Sequence, residues 1–265
     1  MRSICLPNTD LNLSRFVFGT ASLHHLGRDR VQAAHLEAAA AAGFTHFDTA
    51  PLYGFGGAER VLGAAFSNTP GITITTKVGL YPPGGGCEGH TSMLVRKVGG
   101  KLWPPLSRAV ADLTVDRARR SLEDSLRRLR RDCVDILLLH EPAPGLLATD
   151  EWQRWRDTEG DRIRHIGVAG SADMVAPFLE TGMPLAQVIQ VRDGLDTHEG
   201  DIVTCAGRPL QLTYGYFSSD KKGRCGAEIL SGALARNDTG AILVYTRSRA
   251  RLAEFVAAAA QTPQC

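Results

Sequence analysis

Strand-like and helix-like stretches alternate along nearly the whole chain, and no other feature constrains its fold as tightly. Such alternation marks an α/β protein with a parallel sheet, because each helix carries the chain back across the sheet. Eight units can be read. The strands fall at Phe16–Gly19, 44–48, 72–77, Val134–His140, 163–168, 186–191, 210–217 and Ala241–Val244. The helices fall at 31–42, 59–66, Val115–Leu129, around Trp152 and Trp155, at 174–179, near 202–206, at 229–235 and at 252–260. Gly43 stands where a helix favours a left-handed residue. Asn68-Thr69-Pro70-Gly71 is a turn that stops the second helix. Thr114 suits the N-cap of a helix whose Ala118, Leu122, Leu126 and Leu129 form an apolar stripe opposite arginines.

Eight such units in 265 residues predict a single-domain (β/α)8 TIM barrel over residues 1–265. Composition alone does not separate a closed barrel from an open doubly wound sheet. Two irregularities stand out. After the third strand, a long connection (78–113) contains Pro82-Pro83-Gly84-Gly85-Gly86 and Gly99-Gly100. Loops of that length in compact domains are commonly functional, so a substrate-side flap is expected there. Residues 192–210 leave room for only a trimmed sixth unit.

Three of the apolar runs finish in an ionisable group: Asp48, Lys77 and His140. Tyr53 follows Asp48 across a Pro-containing turn. In a parallel barrel the C-terminal strand ends lie around one rim, so groups far apart in sequence meet there. A free phenol, with a pKa of about 10, is a poor acid at neutral pH. An ammonium beside it favours the phenolate, and Lys77 can play that part. A buried ammonium needs a carboxylate to stay charged, and Asp48 is the candidate. His140 can donate to a carbonyl oxygen. The set suits carbonyl reduction in which hydride reaches carbon and Tyr53 protonates oxygen. No side chain supplies hydride, so a nicotinamide is required. Singly, each residue reads equally as a cap, a packed loop, a solvated strand end or a turn; their joint placement carries the argument.

The formal charge is +2, with arginines spread among acidic neighbours, which calls for neither nucleic acid nor membrane as a partner. The first residues lack a long apolar core and no run is long enough to span a bilayer, so a cytoplasmic protein is expected. The six cysteines show no C-x-x-C pair and read as reduced thiols, with no metal site. Oligomeric state is not legible.

The run Phe47-Asp48-Thr49-Ala50-Pro51-Leu52-Tyr53-Gly54 is followed in order by Glu59-Arg60-Val61-Leu62-Gly63 and Thr75-Thr76-Lys77-Val78-Gly79. Ser121-Leu122-Glu123-Asp124-Ser125-Leu126 then leads to Asp135-Ile136-Leu137-Leu138-Leu139-His140. Together these resemble the aldo-keto reductase superfamily. The wording at Ala50–Gly54 and the long segment after Lys77 are most similar to its branch of bacterial aldose (galactose and fucose type) and pyridoxal dehydrogenases. The resemblance implies a TIM barrel, NADP(H) or NAD(H), and a catalytic tetrad of Asp48, Tyr53, Lys77 and His140.

It also implies cofactor contacts at Gly19, Thr20, Gln190, Tyr214 and Ser218. Gln190 stands where the family's carboxamide-binding glutamine ends the sixth strand, and Tyr214 where a nicotinamide-stacking aromatic is expected. The family's Ser-Asn after the fifth strand is replaced by Ala169-Gly170, with Ser171 next in line to compensate. The segment from Thr246 to Glu254 is similar to the one that holds the adenosine 2′-phosphate, with Thr246, Arg247, Arg251 and Glu254 as candidates. Phe255 replaces the usual adenine-binding asparagine, and Tyr245 a frequent lysine. Hydroxyls, backbone N–H groups and arginines at a helix start make an anion site. NADP is therefore expected over NAD, with a small carbonyl or sugar-like substrate and Trp103 on the substrate side. Two other readings stay open: a non-redox lyase or isomerase using the same Tyr and Lys, and a nucleotide-binding subunit without catalysis.

Overall fold

The computed structural model describes residues 1–82, 109–143, 145 and 147–260. An antiparallel hairpin comes first, β1 (Ser3–Cys5) with β2 (Asn12–Ser14), too short to announce itself in the sequence. There follow β3 (Phe16–Gly19), a 3-10 turn (Leu23–Leu26), α1 (Asp29–Ala41), β4 (His46–Asp48), α2 (Gly57–Phe66) and β5 (Thr73–Val78). A short pair, β6 (Leu80–Tyr81) and β7 (Val110–Ala111), flanks residues 83–108, and α3 (Val115–Leu129) and β8 (Val134–His140) come next. The remainder is α4 (Thr149–Thr158), β9 (Ile163–Gly170), α5 (Ala172–Glu180), β10 (Val188–Arg192), α6 (Asp201–Cys205), β11 (Leu212–Tyr214), α7 (Tyr216–Ser219), α8 (Gly226–Arg236), β12 (Ala241–Val244) and α9 (Arg249–Ala260).

Strands β3, β4, β5, β8, β9, β10, β11 and β12 close into a parallel barrel. The last strand returns to the first by pairing Ile242 with Phe16 and Val244 with Phe18. Successive side chains of a strand point to opposite faces, and here that alternation separates two cores. Inside lie Val17, Ile136, Leu138, Ala169, Val188, Leu212 and Ala241, and the hairpin and its turn supply Leu6, Leu11 and Leu13 as a floor. Outside, Phe16, Phe18, Phe47, Ile74, Leu137 and Leu139 pack against helix residues such as Leu36, Leu62 and Leu122. Asp48, Lys77, His140, Gln190 and Tyr214 share the parity of the inner set. They therefore project from the inside of the barrel where each strand ends.

Several boundaries differ from the sequence pattern. The strand expected at 210–217 stops at Tyr214, because Gly215 takes φ +104° and starts the single turn α7. The fifth barrel strand runs on to Gly170. The sixth begins at Val188, after a 3-10 turn at Pro184–Ala186. Thr114 is the N-cap residue of α3, as expected, and its carbonyl accepts from Ala118 N at 3.0 Å, but its hydroxyl donates to Asp112 Oδ1 at 2.7 Å and makes no side-chain capping bond. Gly43 does take the left-handed conformation after α1, at φ +96°. The sixth helix, α6, is five residues long, in keeping with a trimmed unit.

Two motif residues hold the helices rather than the chemistry. Glu59 is fully buried; its Oε1 accepts from Thr76 Oγ1 at 2.6 Å and its Oε2 from Arg128 Nε at 2.7 Å. This ties α2 to β5 and α3. At Gly63 a Cβ would lie 2.2 Å from the Arg128 carbonyl oxygen, so the absent side chain is what lets α2 approach the end of α3.

Candidate active site

Strand parity and register assemble the site. Asp48 pairs in register with Thr75 and Lys77 with Leu138, while Ala169 is the partner of both His140 and Gln190. Tyr53 arrives from the loop after β4. There Gly54, Phe55 and Gly56 all have positive φ (59°, 54° and 80°), and Ala58 N donates to the Tyr53 carbonyl at 3.2 Å. That tight reversal turns the phenol back over the rim.

Lys77 Nζ donates to Asp48 Oδ1 at 2.5 Å and to the Thr49 carbonyl at 3.0 Å. It also lies 4.9 Å from the Tyr53 ring centroid, and the rings of Tyr53 and His140 meet edge to face at 5.9 Å. The four groups predicted as a tetrad are thus together. Both Lys77 and Asp48 are 1% exposed. Burial alone would drive the Lys77 ammonium towards neutrality, but the Asp48 carboxylate and the Tyr53 hydroxyl outweigh it and raise the lysine above its ordinary value. Burial raises the Tyr53 phenol, opposed by Lys77 and reinforced by Asp48. Tyr53 is therefore a protonated acid at neutral pH, beside a cation that stabilises its conjugate base.

Burial, with Lys77 adding to it, pushes His140 down to about 3, so the imidazole is neutral. Its Nδ1 is buried without a hydrogen-bond partner among the described residues. An unpaired buried acceptor is tolerated better than an unpaired N–H, which assigns the proton to Nε2 and makes that atom a donor towards the cleft. His46, two residues before Asp48 and held by Thr73 Oγ1 and Thr75 Oγ1 at 2.7 Å each, is likewise lowered to about 3, chiefly by burial. Unfolded histidines titrate near 6.5, so between about 6.5 and 3 the unfolded chain binds more protons than the native one. Stability is then full above about 6.5 and lost as pH falls towards 3. Urea unfolding at pH 7 and pH 5 should differ by about 2 kcal/mol for each of the two imidazoles. No inflection from His140 is expected in activity near pH 6.5.

The tetrad opens into a cleft of about 540 Å³, lined by Gly19, Ser22, Leu52, Leu80, Ala109, Glu141, Ala169, Gln190, Tyr214 and Tyr245 besides Asp48, Tyr53 and His140. That is within the size range of small-molecule sites. Ser22 and Tyr245 also border a second, polar recess with His25, Thr246, Arg247 and Arg251. Tyr245 and Arg251 border a third with Gly215, Phe217, Ser218 and Phe255. The three recesses are neighbours, sharing Ser22, Tyr245 and Arg251 among their lining residues.

The predicted cofactor residues fall into two groups. Gly19, Gln190 and Tyr214 line the cleft, Ser218 the third recess, and Thr246, Arg247 and Arg251 the polar one. Thr20 is buried, with its hydroxyl donating to the Asp48 carbonyl at 2.9 Å. Ser171 is the N-cap residue of α5; its hydroxyl donates to Asp173 in the first turn, and it is not among the residues that line the cleft. Glu254 is exposed on α9 and is not among the residues that line the three recesses. Phe255 packs into the outer core, its ring tilted against Phe16 at 5.7 Å and edge to face with Phe44 at 6.2 Å. A side chain at Gly170 would meet Met174 Cβ at 3.0 Å, so the strand end that carries asparagine in the family is here closed by α5. Trp103 lies outside the described residues. Sequence reasoning missed Ser22, His25, Glu141 and Tyr245. All four sit in loops or at strand ends on the C-terminal rim, so barrel geometry was the signal that pointed to them.

A closed parallel barrel whose C-terminal rim gathers a paired lysine and aspartate under a tyrosine, beside a neutral histidine, defines a (β/α)8 protein with a candidate active site at that rim. The chain belongs to the Aldo/keto reductase family, whose model matches residues 15–176. It is 31% identical over 195 residues to a 6-dehydroglucose reductase of Agrobacterium fabrum, covering 69% of this chain and 58% of that protein. It is 27% identical over 223 residues to a pyridoxal 4-dehydrogenase of Microbacterium luteolum, covering 77% of this chain and 61% of the other. The alignments thus span about three-fifths of the length of these relatives. In fold, the chain resembles an aldo-keto reductase of Bacillus halodurans in holo form, with a TM-score of 0.75 at 19% identity over 100% of this chain and 93% of that one. Among the described residues no helix is long and apolar enough to cross a membrane, and no group of His, Cys, Asp or Glu could hold a metal ion.

Proposed function

We propose that this chain is an NAD(P)H-dependent oxidoreductase that reduces an aldehyde or ketone, or oxidises the corresponding alcohol or lactol, with a sugar-like molecule as substrate. The observation that carries the reading is the buried Lys77–Asp48 pair at 2.5 Å beneath Tyr53. A bound nicotinamide supplies the hydride that goes to the carbonyl carbon. Tyr53 gives its hydroxyl proton to the carbonyl oxygen as charge develops there, and Lys77, kept charged by Asp48, stabilises the phenolate left behind. Neutral His140 donates from Nε2 to the same oxygen and fixes its direction. In the reverse direction the phenolate takes the proton of the alcohol. The names of two relatives, a 6-dehydroglucose reductase and a D-threo-aldose 1-dehydrogenase, support a polyhydroxylated substrate.

NADP is proposed over NAD because Arg247, Arg251 and Thr246 converge on one polar recess at the start of α9. A relative from Escherichia coli named an NADH-specific methylglyoxal reductase makes the choice worth testing directly. Titration with NADPH and NADH by tryptophan fluorescence is expected to give tighter binding of NADPH. Arg251→Ala should weaken NADPH by roughly 10- to 100-fold, the worth of a charge-assisted hydrogen bond, and NADH hardly at all. Equal losses for both would remove the phosphate assignment. Failure to bind either would turn the reading towards proton chemistry without a nicotinamide, and tight binding without turnover of any aldehyde, ketone or aldose towards a non-catalytic nucleotide-binding role. We further propose a cytoplasmic location, on the absence of a membrane-crossing helix among the described residues.

A further inference from the structure

Gln190 is placed by the resemblance at the nicotinamide carboxamide, yet its side chain makes a second connection. It is 3% exposed in the middle of β10, two residues before that strand ends, and its Nε2 donates to Asp48 Oδ2 at 2.8 Å. The other oxygen of the same carboxylate, Oδ1, holds Lys77. Asp48 is therefore gripped on both oxygens, once by the ammonium and once by the amide. The neighbouring strand end contributes no competing group: Ala169, in register with Gln190, carries only a methyl, and Gly170 carries none. With serine and asparagine absent from that strand end, the amide has a carboxylate as its polar partner.

We infer that Gln190 is a positioning residue of the proton relay, holding the Asp48 carboxylate in the orientation that keeps Lys77 charged and aimed at Tyr53. The inference rests on the oxidoreductase reading for its kinetic consequences but not for its geometry. A carboxylate hydrogen-bonded on one oxygen cannot rotate freely about its last bond, so the other oxygen stays on the ammonium. The amide also draws off part of the carboxylate charge, and that charge otherwise opposes ionisation of Tyr53. One amide has two N–H donors and a carbonyl acceptor. Gln190 can therefore hold Asp48 and still present a polar edge to the cleft it lines.

Two measurements test this, the first without turnover. In protein labelled with 15N-glutamine, the side-chain amide signal lost in Gln190→Leu identifies Gln190. It is expected to exchange with solvent at least tenfold more slowly than the exposed glutamines and to move on Asp48→Asn substitution. A signal that exchanges like an exposed glutamine and ignores Asp48→Asn would overturn the inference, whatever the enzyme's activity.

The second measurement compares wild type, Gln190→Leu and the isosteric Gln190→Glu at saturating cofactor. Positioning predicts that kcat falls at least tenfold in Gln190→Leu. In Gln190→Glu, where a second carboxylate must share a proton with Asp48, the pH limb of kcat should move by a unit or more. The cofactor dissociation constant, read by fluorescence, reports any carboxamide contact separately, and a change in it does not account for a loss of kcat at saturating cofactor. A role confined to the carboxamide would instead raise that constant tenfold or more and leave kcat and its pH limb unchanged, and a purely structural role would lower kcat in proportion to folded protein without moving the limb; either result refutes positioning. A wild type that turns over no carbonyl while its Gln190 amide stays protected would sink the oxidoreductase reading and leave the positioning intact.

Discussion

Tyr53→Phe is expected to lower turnover roughly 100- to 10,000-fold, the range over which a positioned general acid contributes. The substitution removes one oxygen atom and keeps the ring, so the edge-to-face contact with His140 and the place of Lys77 beneath the ring are retained. Nicotinamide binding should consequently change little, within about threefold. The measurement is kcat at saturating cofactor alongside a fluorescence titration. Undiminished turnover with cofactor bound would show that the proton comes from elsewhere, and the tetrad would lose its central member. The His140→Gln protein makes a useful companion: an amide can still donate to the carbonyl oxygen, so its loss should be smaller than that of Tyr53→Phe.

The second large effect concerns stability as much as rate. Lys77 and Asp48 are both sealed from solvent, and each is the other's charge partner at 2.5 Å. Removing one member leaves a buried, uncompensated charge, at a cost of about 3–5 kcal/mol. Lys77→Met and Asp48→Leu should each show that loss in urea unfolding at pH 7, and each should be inactive. The double replacement, Lys77→Met with Asp48→Leu, is expected to recover most of the stability, because no unpaired charge remains, while staying inactive. Additive losses in the double variant would mean that the pair contributes through packing and not through mutual neutralisation. The contrast with Glu59 and Arg128 is instructive, since that buried pair lies outside the cleft and its disruption should cost stability without a specific effect on the pH dependence of turnover.

Which residues form the tetrad was legible in the chain because each of them sits at or just beyond a strand end. Apolar runs of four to seven residues are hard to mistake when helical patterns separate them, and a parallel barrel sends every strand end to one rim. Boundaries were less legible. Leu210 to Phe217 reads as one continuous strand, but the left-handed Gly215 splits it into β11 and α7. Thr114 stands at the N-cap position the sequence indicates, but its hydroxyl is turned to Asp112 and makes no capping bond. The hairpin floor of β1 and β2 carries only three residues in each strand, below what periodicity can detect.

The cofactor half shows where reading by sequence position stops. Ser171 follows the Ala169-Gly170 replacement as an apparent substitute, yet α5 begins at Ala172 and turns the serine hydroxyl to Asp173. Glu254 matches a family position and is exposed on α9, but it is not among the residues that line the recesses. Conversely Ser22 and His25 border the polar recess without any motif to mark them, and Tyr245, noted only as standing in place of a frequent lysine, borders all three. Tyr245 OH donates to the Ser22 carbonyl at 3.0 Å, a contact across more than 220 residues that no local pattern encodes.

By itself the sequence determined the eightfold βα rhythm, the four ionisable groups and the side of the barrel on which they gather. Those follow from period, burial and strand polarity, which are local properties of the chain. Only the tertiary structure decided what each group touches: that Asp48 is held on both oxygens by Lys77 and Gln190, that burial holds His140 neutral, and that three recesses lie side by side around Tyr245. The reason is physical. Hydrogen-bond partners and ionisation states depend on distance and dielectric, and both are set when strands far apart in the chain close into one barrel.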